Sequence, residues 1–205
     1  MLNIFCGGAA IAPHFMITAA HCVEKLIAPD NISFHVGIGS LIKEDGILLH
    51  ISKIIIHKNY LNNTDVKGGR MLHDIALIYV KDKISDENII GLANRAERVG
   101  ESGKLTGFDE YKDLRDYSRF PVKLQEAYFT ILPIRAEGAP TMFFTSGRGG
   151  QGDGGAPFVW EESGKPVLGG IYTGMAGLED NTVRPQFIRI IDFKHWITYQ
   201  MKKTL

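Results

Sequence analysis

Gly, Pro and Asn cut this sequence into short apolar runs, and that punctuation constrains its fold more than any other feature. The runs at 4–11, 15–20, 32–36, 47–56 and 76–80 in the first half have strand length, and a turn at Pro13-His14 joins the first two. The second half repeats the pattern at 105–108, 122–132, 142–145, 157–160, 166–172 and 186–191. Strands at this density, with no long helical periods between them, read as a barrel or sandwich rather than an alternating α/β chain. The period changes only at the end. Phe193, Trp196, Ile197 and Met201 fall at helical spacing, which predicts a short amphipathic helix. The stretch 85–103 is poor in strand formers and reads as the connection between two halves.

Composition bounds the partners. A chain of 205 residues that is 44% hydrophobic and 22% charged buries a substantial core, as one unit or two closely packed ones. Its 23 basic residues balance 23 acidic ones, so it lacks the field that collects nucleic acid or an anionic membrane, and neither partner is expected. No apolar run approaches bilayer length. The segment 1–20 imitates a signal peptide but has no Lys or Arg before Lys25 and is broken by Gly7-Gly8 and Pro13-His14. Asn31-Ile32-Ser33 and Asn62-Asn63-Thr64 are glycosylation sequons.

One Gly-rich stretch, Gly147-Arg148-Gly149-Gly150-Gln151-Gly152, fits the dinucleotide fingerprint G-x-G-x-x-G. That site needs a helix after the loop, whereas Pro157 and a strand come next, and no Gly-Lys-Ser/Thr ends it as in a phosphate loop. No cofactor and no metal are therefore expected. Extended to residue 157, the run Gly149-Gly150-Gln151-Gly152-Asp153-Gly154-Gly155-Ala156-Pro157 resembles the Gly-Asp-Ser-Gly-Gly-Pro nucleophile loop of chymotrypsin-like and trypsin-like serine proteases of the S1 family, with Gly154 where the serine stands. Ile17-Thr18-Ala19-Ala20-His21-Cys22 is similar to that family's histidine segment and His73-Asp74-Ile75-Ala76-Leu77-Ile78 to its aspartate segment. The order His, Asp, nucleophile loop is also the family's. Leu105-Thr106-Gly107-Phe108 and the closing 184–197 segment resemble family strands and helix as well.

The resemblance implies an all-β fold of two six-stranded antiparallel barrels with a C-terminal helix. It divides the chain into a first barrel at 1–84, lacking the usual N-terminal strand, a connection at 85–103, and a second barrel with the helix at 104–205. It implies that His21 and Asp74 are retained triad members: a base and the carboxylate that orients it, with no hydroxyl to activate. Gly152 and Gly154 would supply the oxyanion N–H groups. Asp153 matches the aspartate that pairs with a new amino terminus in activated members, and the chain has no Ile-Val-Gly-Gly start. Arg148 falls at the base of the specificity pocket, Gln186 stands where glycine is usual and would fill it, and Thr173 sits in the substrate-pairing strand, its hydroxyl within reach of the aspartate. Cys6 and Cys22 match a family disulfide, which places the protein in an oxidising, extracellular compartment as a secreted protein; on cysteine count alone, two buried free thiols are the other reading. The remaining histidines, His14, His35, His50, His57, His73 and His195, receive no role.

A fold kept without its nucleophile is expected to be a catalytically inactive homologue, a pseudoprotease that binds a protein partner as cofactor, decoy or regulator of proteolysis. The alternative is a trypsin-like endopeptidase that is weakly active or carries an engineered Ser-to-Gly change. The polar loops 62–70 and 109–119 are the expected contact loops.

Overall fold

The computed structural model describes residues 6–27, 35–42, 45–61, 72–108, 123–134, 140–150, 152–178 and 180–205. Both sequons and both expected contact loops lie outside these residues, as does Gln151. The described chain forms two antiparallel sheets followed by a C-terminal helix, the fold class its sequence implies.

The first sheet has five strands: β1 (Ala9–Ala12), β2 (Phe15–Thr18), β3 (His35–Ile38), β4 (Ile47–Ile56) and β5 (Ala76–Val80). Their spatial order is β1-β2-β5-β4-β3, and every neighbouring pair is antiparallel. Pro13 and His14 make the turn between β1 and β2 because proline fixes φ at the first central turn position. After β2 the chain leaves the sheet through a one-turn helix, α1 (Ala20–Val23). Four residues show no helical period, so the sequence reads as strand up to Ala20 although the strand ends at Thr18.

The second sheet contains β7 (Ser102–Gly107), β8 (Gln125–Thr130), β9 (Met142–Phe144), β10 (Pro157–Glu162), β11 (Lys165–Gly177) and β12 (Val183–Arg189) in the order β8-β7-β10-β11-β12-β9. The two-residue β6 (Gly91–Leu92) pairs with β11 in parallel. That short strand lies in the connection between the sheets, which is fixed at both ends. Ile90 N–H donates to Ala10 O at 2.9 Å, and Glu97 takes Arg189 Nη2–H at 2.6 Å. The charged pair is mostly buried and also reaches Asp192 at the start of the helix, so it locks the connection to the second sheet.

Burial explains how the halves meet. Ile17 and Leu77 of the first sheet, Ile75 just before β5, Leu168, Ile171 and Ile188 of the second sheet, and Ile190 and Ile197 of the helix form one buried cluster. The helix α2 (Ile190–Thr204) buries Ile190, Phe193 and Ile197 at spacings of three and four, the stripe its sequence predicts. Its Trp196 ring packs edge-on against His57, which in turn stacks on His73 at 5.2 Å. A second cluster, rich in Phe143, Phe158, Trp160, Tyr172 and Phe187, fills the second sheet.

Candidate functional site

Where the two sheets face each other, the chain brings His21, Asp74 and Gly154 together from three separate segments. His21 sits in α1, directly after the last residues of β2. Asp74 is placed by a tight turn: His73 adopts φ 52°, and Ile75 N–H donates back to His73 O at 2.8 Å. The Asp74 carboxylate is fully buried and accepts two bonds from His21, the backbone N–H at 2.8 Å and Nδ1 at 2.6 Å. A carboxylate only accepts, so the proton of the second contact sits on Nδ1, and in the neutral ring Nε2 is the acceptor. Close by, the Tyr60 hydroxyl titrates well above its ordinary range, because it is buried and then because Asp74 and Glu24 are negative neighbours.

The Gly-rich loop reaches this pair through backbone contacts. Gly7 N–H donates to Gly154 O at 2.7 Å, tying the loop to the segment before β1, and the Thr18 hydroxyl donates to Gly7 O at 2.8 Å. Gly155 has φ 77°, and a Cβ there would lie 2.2 Å from the Thr18 hydroxyl oxygen, so glycine is required on both counts. Among the described residues, no backbone carbonyl takes the N–H of Gly152 or Gly154.

Gly154 is the most informative position. A Cβ added to it would stand 2.6 Å from His21 Nε2 and 3.3 Å from Cys6 Sγ. The imidazole therefore lies against the loop in space that any side chain at 154 would need. Nε2 is also 3.5 Å from Cys22 Sγ. His21 and the two sulfurs have donor atoms within 4.8 Å of one another, but the sulfurs are joined as a Cys6–Cys22 disulfide and have no thiolate for a metal. The bridge spans a sequence separation of 16, and no free cysteine remains. Reducing it is expected to lower stability by about 3 kcal/mol. Thermal melts with and without reductant measure that loss, and alkylation of denatured, unreduced protein should label no thiol.

Asp153 precedes Gly154 in the loop and has no contact with His21 or Asp74 among the described residues. It is buried, accepts Gly150 N–H through Oδ2 at 3.1 Å, and has no partner on Oδ1 among the described residues. Burial raises its carboxyl above the ordinary range, and the Gly150 N–H only partly offsets this. An acid raised on folding holds more protons folded than unfolded, so stability falls as pH climbs from the ordinary carboxylate pKa through the raised one. Asp153→Asn keeps the acceptor for Gly150 and removes the charge. It is expected to flatten the decline in melting temperature as pH rises above the ordinary carboxylate pKa of about 4; an unchanged slope would mean that the buried charge is compensated.

Thr173 and Gln186 are buried side by side: Thr173 sits at a bulge of β11 and its hydroxyl donates to Gln186 O at 3.4 Å, rather than to Asp74. The Gln186 amide is buried with neither its O nor its N partnered among the described residues. Arg148, by contrast, is exposed. A guanidinium keeps its hydration unless a partner compensates it, and the adjoining backbone closes onto aromatic rings instead. At Gly149 a Cβ would stand 2.5 Å from the Tyr172 ring. Tyr172 was missed in the sequence because an aromatic residue in an apolar strand reads as core. Its position two residues after Gly170, opposite a Gly-rich loop, was the available signal.

Comparison with known proteins places this geometry. The trypsin family model matches residues 2–197. Hypodermin-B of Hypoderma lineatum is 37% identical over 81 residues, 40% of this chain and 28% of that protein. Trypsin of Sarcophaga bullata is 30% identical over 138 residues, 66% of this chain and 51% of that protein. The chain thus spans only part of the length of both relatives.

Proposed function

The chain belongs to the trypsin-like S1 protease family, and on that footing we propose that it is a member without peptide hydrolysis, acting outside the cell by binding protein. One observation carries the reading. Residue 154, where the family's serine stands, is glycine, and the His21 imidazole already occupies the space that a side chain there would need. The base and its orienting carboxylate are kept, but a general base accelerates nothing without a nucleophile or a positioned water to deprotonate.

Two further features support the loss of chemistry. The Asp153 carboxylate lies buried with one oxygen unpartnered among the described residues, whereas an ordered oxyanion loop in active relatives depends on pairing that group. The rings of Phe129 and Tyr172 press on the backbone at Gly147 and Gly149, and Gln186, at the position the resemblance assigns to the pocket, is buried. The Cys6–Cys22 bridge suits an oxidising compartment. Among the described residues no helix is long and apolar enough to cross a membrane. The role left to such a scaffold is recognition of a protein that takes part in proteolysis, as cofactor, decoy or regulator.

A fluorophosphonate probe tests the first half of this reading, since it forms a covalent bond to an activated serine of the triad type. Native protein is expected to remain unlabelled at every residue after extended incubation. Labelling that disappears in the His21→Ala variant would overturn the proposal.

A further inference from the structure

Among the described residues His21 Nε2 has no hydroxyl or carboxylate partner, and the atom it faces is a sulfur, Cys22 Sγ at 3.5 Å. A disulfide sulfur carries no proton to donate, so the acceptor on Nε2 is unused while the bridge is closed. The other sulfur opens on the same spot. A Cβ at residue 154 would stand 3.3 Å from Cys6 Sγ as well as 2.6 Å from Nε2, so glycine leaves both atoms facing one space that a side chain would take. That space is reachable: Cys6 is half-buried and His21 keeps 23% of its side chain exposed, whereas Cys22 is buried. On the far side of the ring the buried Asp74 carboxylate accepts Nδ1–H at 2.6 Å, an arrangement that stabilises an imidazolium once Nε2 takes a proton. An oriented base beside a reachable disulfide, with no nucleophile of its own, suits a co-reactant that brings the nucleophile with it.

We propose that Cys6–Cys22 is a thiol-exchange site, at which His21 assists a small thiol in opening the bridge. The thiol gives its proton to Nε2 and its sulfur attacks Cys6 Sγ. A mixed disulfide forms on Cys6, the Cys6–Cys22 bond breaks, and its electron pair leaves on Cys22 Sγ. The new thiolate lies beside the imidazolium that has just formed, since Cys22 Sγ is the sulfur next to Nε2, and the two charges pair. That pairing lowers the basicity of the leaving thiol, which speeds the step. A second small thiol then attacks the mixed disulfide, releasing the oxidised small disulfide and leaving Cys6 reduced. Two thiols lose two electrons and the bridge gains them. Burial sets the direction of attack, because Cys6 is the reachable sulfur and Cys22 the shielded one beside the base. The exchange concerns the bridge and its base alone, and it holds whether or not the chain binds protein.

The experiment follows the opening of the bridge by reduced glutathione at neutral pH, in the folded protein and in the same protein denatured in urea. Samples are quenched with acid, free thiols are alkylated, and adducts are mapped by mass spectrometry. A merely structural bridge is shielded by the fold and opens faster once denatured. The reverse is expected here: opening at least about tenfold faster in the folded protein, with the first glutathione adduct on Cys6. This comparison needs no variant. His21→Ala, its fold checked by circular dichroism, is expected to open about tenfold more slowly than the unsubstituted protein. Simple loosening or uncovering of the cleft would speed opening instead, so slowing reports on the base. Opening no faster in the folded protein than in the denatured one, an unchanged or higher rate in His21→Ala, or a first adduct on Cys22 would each overturn the inference.

Discussion

Gly154→Ser is expected to leave peptide turnover near background and to lower the melting temperature, although it places a hydroxyl beside His21. In an otherwise intact triad, regaining the nucleophile is worth on the order of 10⁶ in turnover. Here the new Cβ would begin 2.6 Å from Nε2, so either the imidazole or the loop must yield. If the imidazole swings away, its 2.6 Å bond to Asp74 breaks and the base is no longer oriented. If the loop retreats, the 2.7 Å bond from Gly7 N–H to Gly154 O breaks, and the N–H groups of Gly152 and Gly154, the proposed oxyanion donors, move with it. Losing one such donor alone costs about 10² to 10³ in turnover. Overpacking a well-filled site typically costs about 1 to 3 kcal/mol. We therefore expect a recovery below about 10², a small part of what a restored triad supplies. Steady-state assays against peptides with basic, aromatic, small and acidic residues before the scissile bond, paired with thermal melts, check both parts.

Asp74→Ala is expected to be the most destabilising single change in the cleft. Asp74 is fully buried and holds His21 twice, through the backbone N–H of α1 and through Nδ1. Removing the carboxylate strands both donors and leaves a void beneath the strained turn at His73. Breaking a buried pair from one side costs about 3 to 5 kcal/mol, which in a chain of this size lowers the melting temperature by on the order of 10 °C. Asp74→Asn keeps the volume and one good acceptor, so about half that loss is expected. Chemical denaturation of both variants separates the contributions. Equal stability of Asp74→Ala and the native protein would mean that the pair is not a structural element of the fold.

Much of this cleft is legible in the sequence because short motifs fix it. His21, Asp74 and the loop around Gly154 each lie in a stretch whose neighbours determine the backbone, so reading the stretch also reads the position. Arg148 is less legible for the opposite reason. Counting back from Gly154 assigns a place in the chain but says nothing about solvation, and the side chain at that place is exposed. Strand existence was also readable, from the runs between Gly and Pro, but not strand length. β11 continues to Gly177, well past the 166–172 run, because a bulge at Thr173 and φ 121° at Gly174 carry the ladder through residues that read as a break. The Gln186 amide could not be read as buried and unpartnered, since that depends on β12 lying between β11 and β9.

Whether this chain binds protein without cutting it is decided by assaying the native chain beside its His21→Ala variant on one panel of fluorogenic peptides at high enzyme concentration. The two are expected to release product at the same rate, indistinguishable from buffer. Turnover by the native chain that His21→Ala abolishes would refute the loss of peptide hydrolysis.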